Sequence, residues 1–147
     1  MRQMIVRKVE KADLPQLALL YEQLMEEPTD LALMEKTFSE VTADGRSVVL
    51  GAFVAEKLIG TVYVIVIRDL VTNCSPFAVV ENVVVDEAFR GHGAGKALMQ
   101  AAEEAAREFG CTYMMLVSGE KRSVAHKLYE SAGYDVPVRG FKKYLED

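Results

Sequence analysis

Cysteine is scarce in this chain of 147 residues. Cys74 and Cys111 are its only two, too few for a disulfide scaffold. With no basic partner to activate either, both read as structural or incidental. Histidine is equally rare. His92 and His126 stand far apart with no Cys/His cluster, so no metal site is expected. No apolar run reaches the length of a membrane span. The opening Met-Arg-Gln-Met-Ile-Val enters strand-like sequence with no secretory leader. Basic residues are outnumbered, 17 Lys plus Arg against 22 Asp plus Glu, for a net charge of −5. That balance speaks against coating nucleic acid or an anionic membrane. Low-complexity tracts, repeats and linkers are also missing. What is present is a half-apolar chain able to bury a core. The expectation is one soluble, cytoplasmic domain over residues 1–147.

Periodicity sets the elements. Met4–Val9 reads as a strand. Asp13 is expected to cap a helix with Gln16 as its capping-box partner. Leu14, Leu17, Leu20, Tyr21 and Leu24 carry that helix to about Glu26. Asp30 caps a second helix, closed at Ala43-Asp44-Gly45. Ser47–Ala55 and Leu58–Ile67 read as a hairpin turning at Glu56-Lys57. Phe77–Val85 is nearly all apolar, which predicts a strand buried on both faces. A helix follows Gly91–Gly95, with Ala94, Leu98, Ala101, Ala102, Ala105 and Phe109 on its apolar face. Thr112–Val117 is a strand and Arg122–Ala132 a helix that Gly133 stops. Short strands are expected near Tyr134–Pro137 and Phe141–Tyr144. The order predicts an α/β (α+β) mixed sheet flanked by helices.

The segment Val83-Val84-Val85-Asp86-Glu87-Ala88-Phe89-Arg90-Gly91-His92-Gly93-Ala94-Gly95-Lys96 carries the chemistry. A strand meets a glycine-rich turn that opens an amphipathic helix. The first N–H groups of a helix have no partner within it, and glycines let a ligand approach them. With the helix dipole they form a phosphate cradle; Arg90, His92 and Lys96 add local positive charge. The alternative is a helix start that is merely glycine-rich. A triphosphate loop does not fit. Three residues rather than four separate Gly91 from Gly95-Lys96, and Ala97 replaces the metal-binding hydroxyl. A dinucleotide fingerprint fails too, because the third glycine comes one residue early.

Arg90-Gly91-His92-Gly93-Ala94-Gly95 resembles the Arg/Gln-x-x-Gly-x-Gly/Ala signature of the GNAT superfamily of N-acetyltransferases. Ala125-His126-Lys127-Leu128-Tyr129-Glu130-Ser131-Ala132-Gly133-Tyr134 resembles its second motif, at the right separation. The resemblance covers essentially the whole chain. It implies the GNAT fold, a mostly antiparallel sheet of about seven strands with about four helices, splayed between the fourth and fifth strands. It implies acetyl-CoA as co-substrate, with its pyrophosphate on the turn Arg90, Gly91, His92, Gly93, Ala94, Gly95 and Lys96. Backbone groups of Asn82, Val83, Val84 and Val85 would serve the pantetheine arm and thioester. Ser118, at the end of the next strand, joins the cofactor-binding set. Many members carry Asn where this chain has Arg122. Arg122 and Lys121 either bind a CoA phosphate or acceptor anion, or simply begin a solvated helix. The resemblance also implies homodimers through the C-terminal strands. Val80–Val85 further resembles members acting on sugar phosphates and small amines.

Acetylation of an amine needs a base for its proton, donors for the oxyanion and an acid for the thiolate. Glu81 is the only carboxylate within Phe77–Val85. Burial there would raise its pKa toward a useful range, making it a base; the other reading is substrate positioning. Tyr129, the Tyr of the second motif, is the acid, or else a core aromatic. His126 is expected to pack or face solvent. The oxyanion donor is expected to be an N–H near Val83 or Val84.

Residues 10–44 hold nine acids against Lys11 and Lys36. By resemblance this region walls the acceptor site, and acidity there would draw a protonated amine; charged outer helix faces explain the same acids. Phe38, Tyr21 and Met25 are the apolar candidates, and loop Asp69–Pro76 the candidate lid. The expected function is acetyl transfer to a small primary amine in a ternary complex. The alternatives are an amino-sugar phosphate as the specific acceptor, and a non-catalytic acyl-CoA sensor.

Overall fold

The computed structural model describes residues 3–118 and 123–145, with side chains from 125 onward in the second stretch. Strands β1 (Met4–Lys8), β2 (Ser47–Val54), β3 (Lys57–Ile67), β4 (Phe77–Val85) and β5 (Met114–Leu116) form one sheet in sequence order. The first four pair antiparallel, and β5 joins β4 in parallel. Helices α1 (Leu14–Met25) and α2 (Leu31–Asp44) precede the hairpin. Helix α3 (Ala94–Glu108) links β4 to β5, and α4 (Ser123–Ser131) follows.

Two apolar clusters sandwich the sheet. One joins Val62, Val64, Ala78 and Val80 to Ala94, Leu98, Met99, Ala102 and Ala106 of α3. The other joins Val9, Phe53, Leu58 and Val84 to Leu14, Leu17 and Leu20 of α1. Met99 and Ala106 thus belong to the buried face of α3, whereas Phe109, expected there, is 40 % exposed.

The β2–β3 turn is Ala55-Glu56, one residue earlier than expected. Both residues have positive φ, 48° and 67°, the geometry that matches the twist of a two-residue hairpin. The start of α1 also differs. Asp13 does not cap through Gln16; its carboxylate accepts from the Glu10 N–H at 2.8 Å and from Arg7 Nη1 at 2.9 Å. Gln16 instead spans to the hairpin, accepting from the Leu58 N–H at 2.9 Å. Asp30 caps α2 by accepting from the Leu33 N–H at 3.1 Å. The α4 stop is as expected: Gly133 has φ 94°. Bonds from Gly133 N–H to Glu130 O and from Tyr134 N–H to Tyr129 O close the helix end.

The expected mixed, mostly antiparallel sheet is present, with five strands among the described residues rather than about seven. Segments 134–137 and 141–144 form no strand. A strand needs a neighbour to take its backbone groups, and β5 offers only a three-residue edge. Val136, Val138, Phe141, Tyr144 and Leu145 remain largely exposed.

The splay is visible in the pairing. β4 meets β5 only at Ala78–Met114, Val79–Met115 and Val80–Leu116. Beyond Val80, among the described residues, β4 continues to Val85 with no β5 partner.

Candidate active site

The half of β4 without a β5 partner begins with a bulge. Register against β3 runs Tyr63 to Glu81, then Thr61 to Val84. Asn82 and Val83 thus lie opposite the single residue Val62. Asn82 adopts a left-handed conformation, φ 53°. The extra residue reverses the alternation of faces. Ala78 and Val80 pack toward α3 before the bulge, and Val83 and Val85 do so after it. Val84 packs toward α1.

Glu81 sits at this bulge and is exposed. The expected burial is absent, because the bulge lifts Glu81 and Asn82 out of an otherwise covered strand. The prediction of a strand buried on both faces fails at these two residues for the same reason.

Beside the bulge stands Tyr21 of α1. Burial pushes its phenol pKa up to about 12, while the Asn82 and Thr61 side chains pull it the other way. Phe38 is half-buried beside the same cluster. Met25 is 63 % exposed. Of the nine acids between residues 10 and 44, three already have structural partners. Asp13 binds Arg7, Asp30 caps α2 and Asp44 pairs with Arg46 at 3.3 Å.

Past Val85 the chain makes a short 3₁₀ turn, Glu87–Phe89, capped by Asp86 accepting from the Ala88 N–H at 2.9 Å. Arg90 Nε donates back to Val85 O at 3.1 Å, which ties the turn to the strand end. Gly91 and Gly93 have φ of 83° and 87°, and a Cβ built on either meets no atom within 4 Å. They are glycines for their backbone conformation, and the space beside them is open. The helical ladder begins with Ala97 N–H to Gly93 O at 3.0 Å, so the N–H groups ahead of it precede the ladder. His92 and Lys96 are exposed here, whereas Ala94 is buried and offers only backbone. Gly95 has a different task. A Cβ there would lie 2.9 Å from Leu128 Cδ2 of α4, so it lets the two motif helices meet closely. The geometry fits a diphosphate: open backbone donors at a helix N-terminus, with cations alongside.

Tyr129 is half-buried on α4, with its ring edge-on to Tyr134 at 6.4 Å between centroids. Together with Ser118, His126 and Leu116 it lines a cleft of about 650 Å³ between α3, β5 and α4. The glycine turn is not part of that cleft. Cys111 also lines it, and burial pushes its thiol pKa up, in keeping with an inert residue. Lys121 and Arg122 lie outside the described residues.

Two contacts were not legible in the sequence. Gln23 Oε1 accepts from the Glu87 N–H at 3.1 Å, which fixes α1 to the segment feeding the glycine turn. Thr61 Oγ1 donates to Leu50 O at 2.8 Å within the sheet. Both link residues distant in sequence, and an isolated Gln or Thr carries no signal of such a partner.

The profile of the Acetyltransferase (GNAT) family matches residues 13–134. A Drosophila melanogaster protein, "Probable glucosamine 6-phosphate N-acetyltransferase", is 30% identical over 119 residues, covering 76% of this chain and 53% of that protein. The chain therefore spans about half the length of this curated relative. A solved GNAT family acetyltransferase of Staphylococcus aureus is 26% identical with a TM-score of 0.81, covering 99% of this chain and 100% of that one. An aminoglycoside N-acetyltransferase solved in complex with CoA shares the fold at 20% identity and a TM-score of 0.86, covering 100% of this chain and 97% of its own.

Proposed function

The chain belongs to the GNAT acetyltransferase family, and from that premise we propose that it transfers an acetyl group from acetyl-CoA to a primary amine of a small molecule, by direct attack in a ternary complex. The observation that carries this reading is the layout of β4. A carboxylate stands at its bulge, its backbone runs from there to Val85 with no β5 partner among the described residues, and it leads into an open glycine turn at a helix N-terminus. One strand thus offers an acceptor end and a donor end.

In this reading, the N–H groups of Gly91–Lys96 with Arg90 and Lys96 hold the pyrophosphate. Backbone groups of Asn82–Val85 line the pantetheine arm and meet the oxyanion. Acetyl-CoA supplies the activated thioester. Glu81 takes a proton from the amine, directly or through water, as the amine nitrogen bonds the acyl carbon and the C–S bond breaks. Its exposed position suits a group that exchanges protons with solvent. Tyr129 returns a proton to the departing sulfur. Ser118 and Arg122 complete the donor side.

The Drosophila relative favours an amino-sugar phosphate as the specific acceptor. The acids of α1 and α2 without structural partners favour a cationic amine instead. A non-catalytic acyl-CoA sensor is the reading from another class; the presence of both Glu81 and Tyr129 in the sequence argues against it. Exposed apolar residues in 136–145 support a homodimer paired there, and the proposal places it in the cytoplasm. Among the described residues no helix is long and apolar enough to cross a membrane.

The test is initial-velocity kinetics across a panel of amines, amino sugars and amino-sugar phosphates, read as free thiol. Intersecting double-reciprocal lines with one acceptor class support a ternary complex. Tight acetyl-CoA binding with no turnover on any amine supports the sensor.

A further inference from the structure

The face of the sheet toward α1 is only half covered. Successive strand residues point to opposite faces. Val62 and Val64 pack toward α3, so Tyr63 and Ile65 between and beyond them face the other way. Tyr63 stands opposite Val49 of β2 on one side and Glu81 of β4 on the other. At Val49 and Val84 the α1 cluster covers this face. Past Tyr63 that cover ends.

There Ile65 pairs with Val79 and Ile67 with Phe77 across β3 and β4, and Val79 pairs with Met115 of β5. None of these five residues belongs to either buried cluster. Phe77 stacks its ring on Tyr113 at 5.0 Å, and Ile67 and Met115 are exposed. Single apolar residues on a surface need no explanation, but a contiguous strip does. None of these residues is a cation, so the strip itself offers nothing to a phosphate. Its inner end is Glu81, whose carboxylate has no hydrogen-bond or ion-pair partner among the described residues. An unpaired anion at the head of an apolar strip is complementary to an ammonium carried on an apolar body. Side chains directly opposite on antiparallel strands have Cβ atoms about 4.5–5.5 Å apart. An ammonium beside Glu81 is therefore also within reach of the Tyr63 ring, which attracts cations through its face.

We propose that this strip takes the body of the acceptor, so that the substrate is an amine on an aromatic or aliphatic body, with its nitrogen at Glu81 and with Ile65 and Val79 setting the specificity. The proposal rests on the acetyltransferase reading and narrows its acceptor.

The experiment compares wild type with the double variant I65T/V79T on 2-phenylethylamine and on glucosamine 6-phosphate. Threonine keeps the β-branched shape and puts a hydroxyl in place of apolar surface. Wild type is expected to prefer 2-phenylethylamine by at least about tenfold in kcat/KM. The double variant is expected to lose about 10- to 100-fold of that kcat/KM, mainly through KM for the amine. Preference of wild type for glucosamine 6-phosphate overturns the proposal, as does an unchanged kcat/KM for 2-phenylethylamine in the variant. Light scattering addresses a second copy of the chain as the occupant. A dimer that the variant splits, with the substrate preference unmoved, also overturns the proposal. A further measurement needs no turnover and, in wild type, no variant. The chain has no tryptophan, so the indole emission of added tryptamine is read without background. Binding to wild type is expected to shift that emission to the blue, and the variant should need about tenfold more protein for the same shift. No shift with wild type, or equal titrations, overturns the proposal. Failure of the acetyltransferase reading looks different: the emission shift is present, yet no amine releases free thiol from acetyl-CoA.

Discussion

Two stretches of backbone at opposite ends of the same half-strand adopt left-handed conformations, and they do so by different means. At the glycine turn, Gly91 and Gly93 take φ near +85° with nothing within 4 Å of a hypothetical Cβ. At the β4 bulge, Asn82 takes φ 53° with a side chain, and α1 stands beside it. Gly91 and Gly93 carry no side chain, which leaves the backbone donors of the turn open. The bulge keeps its side chains because a carboxylate must be aimed there. A phosphate can be held by main chain alone, whereas proton transfer needs a particular group at a particular place. The two ends of β4 therefore differ in how they fail.

The turn breaks by adding atoms. Replacing Gly91 and Gly93 together by Val forces two β-branched residues into a conformation costing about 1–3 kcal/mol each. It also fills the open face. Calorimetry is expected to show CoA affinity lowered by at least about 100-fold. Retained affinity would mean that the pyrophosphate lies elsewhere.

The bulge breaks by removing function. Glu81→Gln is expected to lower kcat by about 100-fold, the lower range for general base loss. It should also flatten the acidic limb of the pH–rate profile and leave CoA affinity alone. An unaltered limb would leave Glu81 with positioning only. Tyr129→Phe is expected to cost about tenfold in kcat, less than the base, at unchanged CoA affinity. Wild-type kcat would make Tyr129 a packing residue.

Smaller effects test the scaffold around both ends. Gly95→Ala presses a methyl against Leu128, the flexible end of a side chain. Overpacking of this kind costs about 1 kcal/mol, a fall in Tm of about 2–4 °C in a chain this size, with kcat nearly kept. The smallest effect concerns acid stability. Arg7 and the Glu10 N–H hold the Asp13 carboxyl below its ordinary value. A depressed folded-state pKa stabilises above the unfolded value and is lost as pH falls through the folded one. Wild type is thus expected to lose stability on acidification below about pH 4. Asp13→Asn, starting slightly lower at neutral pH, should lose less over that range. Parallel denaturation curves would contradict the pairing.

These elements were not equally legible in the sequence. Glycine spacing and the amphipathic helix behind it are local patterns, so the turn, α3 and the α4 stop at Gly133 could be read directly. The helix starts were less clear. Asp13 and Gln16 have the spacing of a capping box, but Arg7 competes for the Asp13 carboxylate and the hairpin for the Gln16 amide. The nearly all-apolar run of β4 predicted a buried Glu81. A bulge inserts one residue without any change in composition, so nothing in Val-Glu-Asn-Val announced that alternation would reverse. The C-terminal segments have strand-like residues, yet a strand forms only beside a partner, and β5 is too short to provide one.

Donor and acceptor are expected to meet along the half of β4 that lacks a β5 partner. A crystal structure with CoA and the best acceptor tests it most directly. The pyrophosphate is expected on the N–H groups of Gly91–Lys96, the sulfur in the gap beyond Val80 and Leu116, and the amine beside Glu81. CoA seated away from the turn, with the amine far from the β4 bulge, would contradict it.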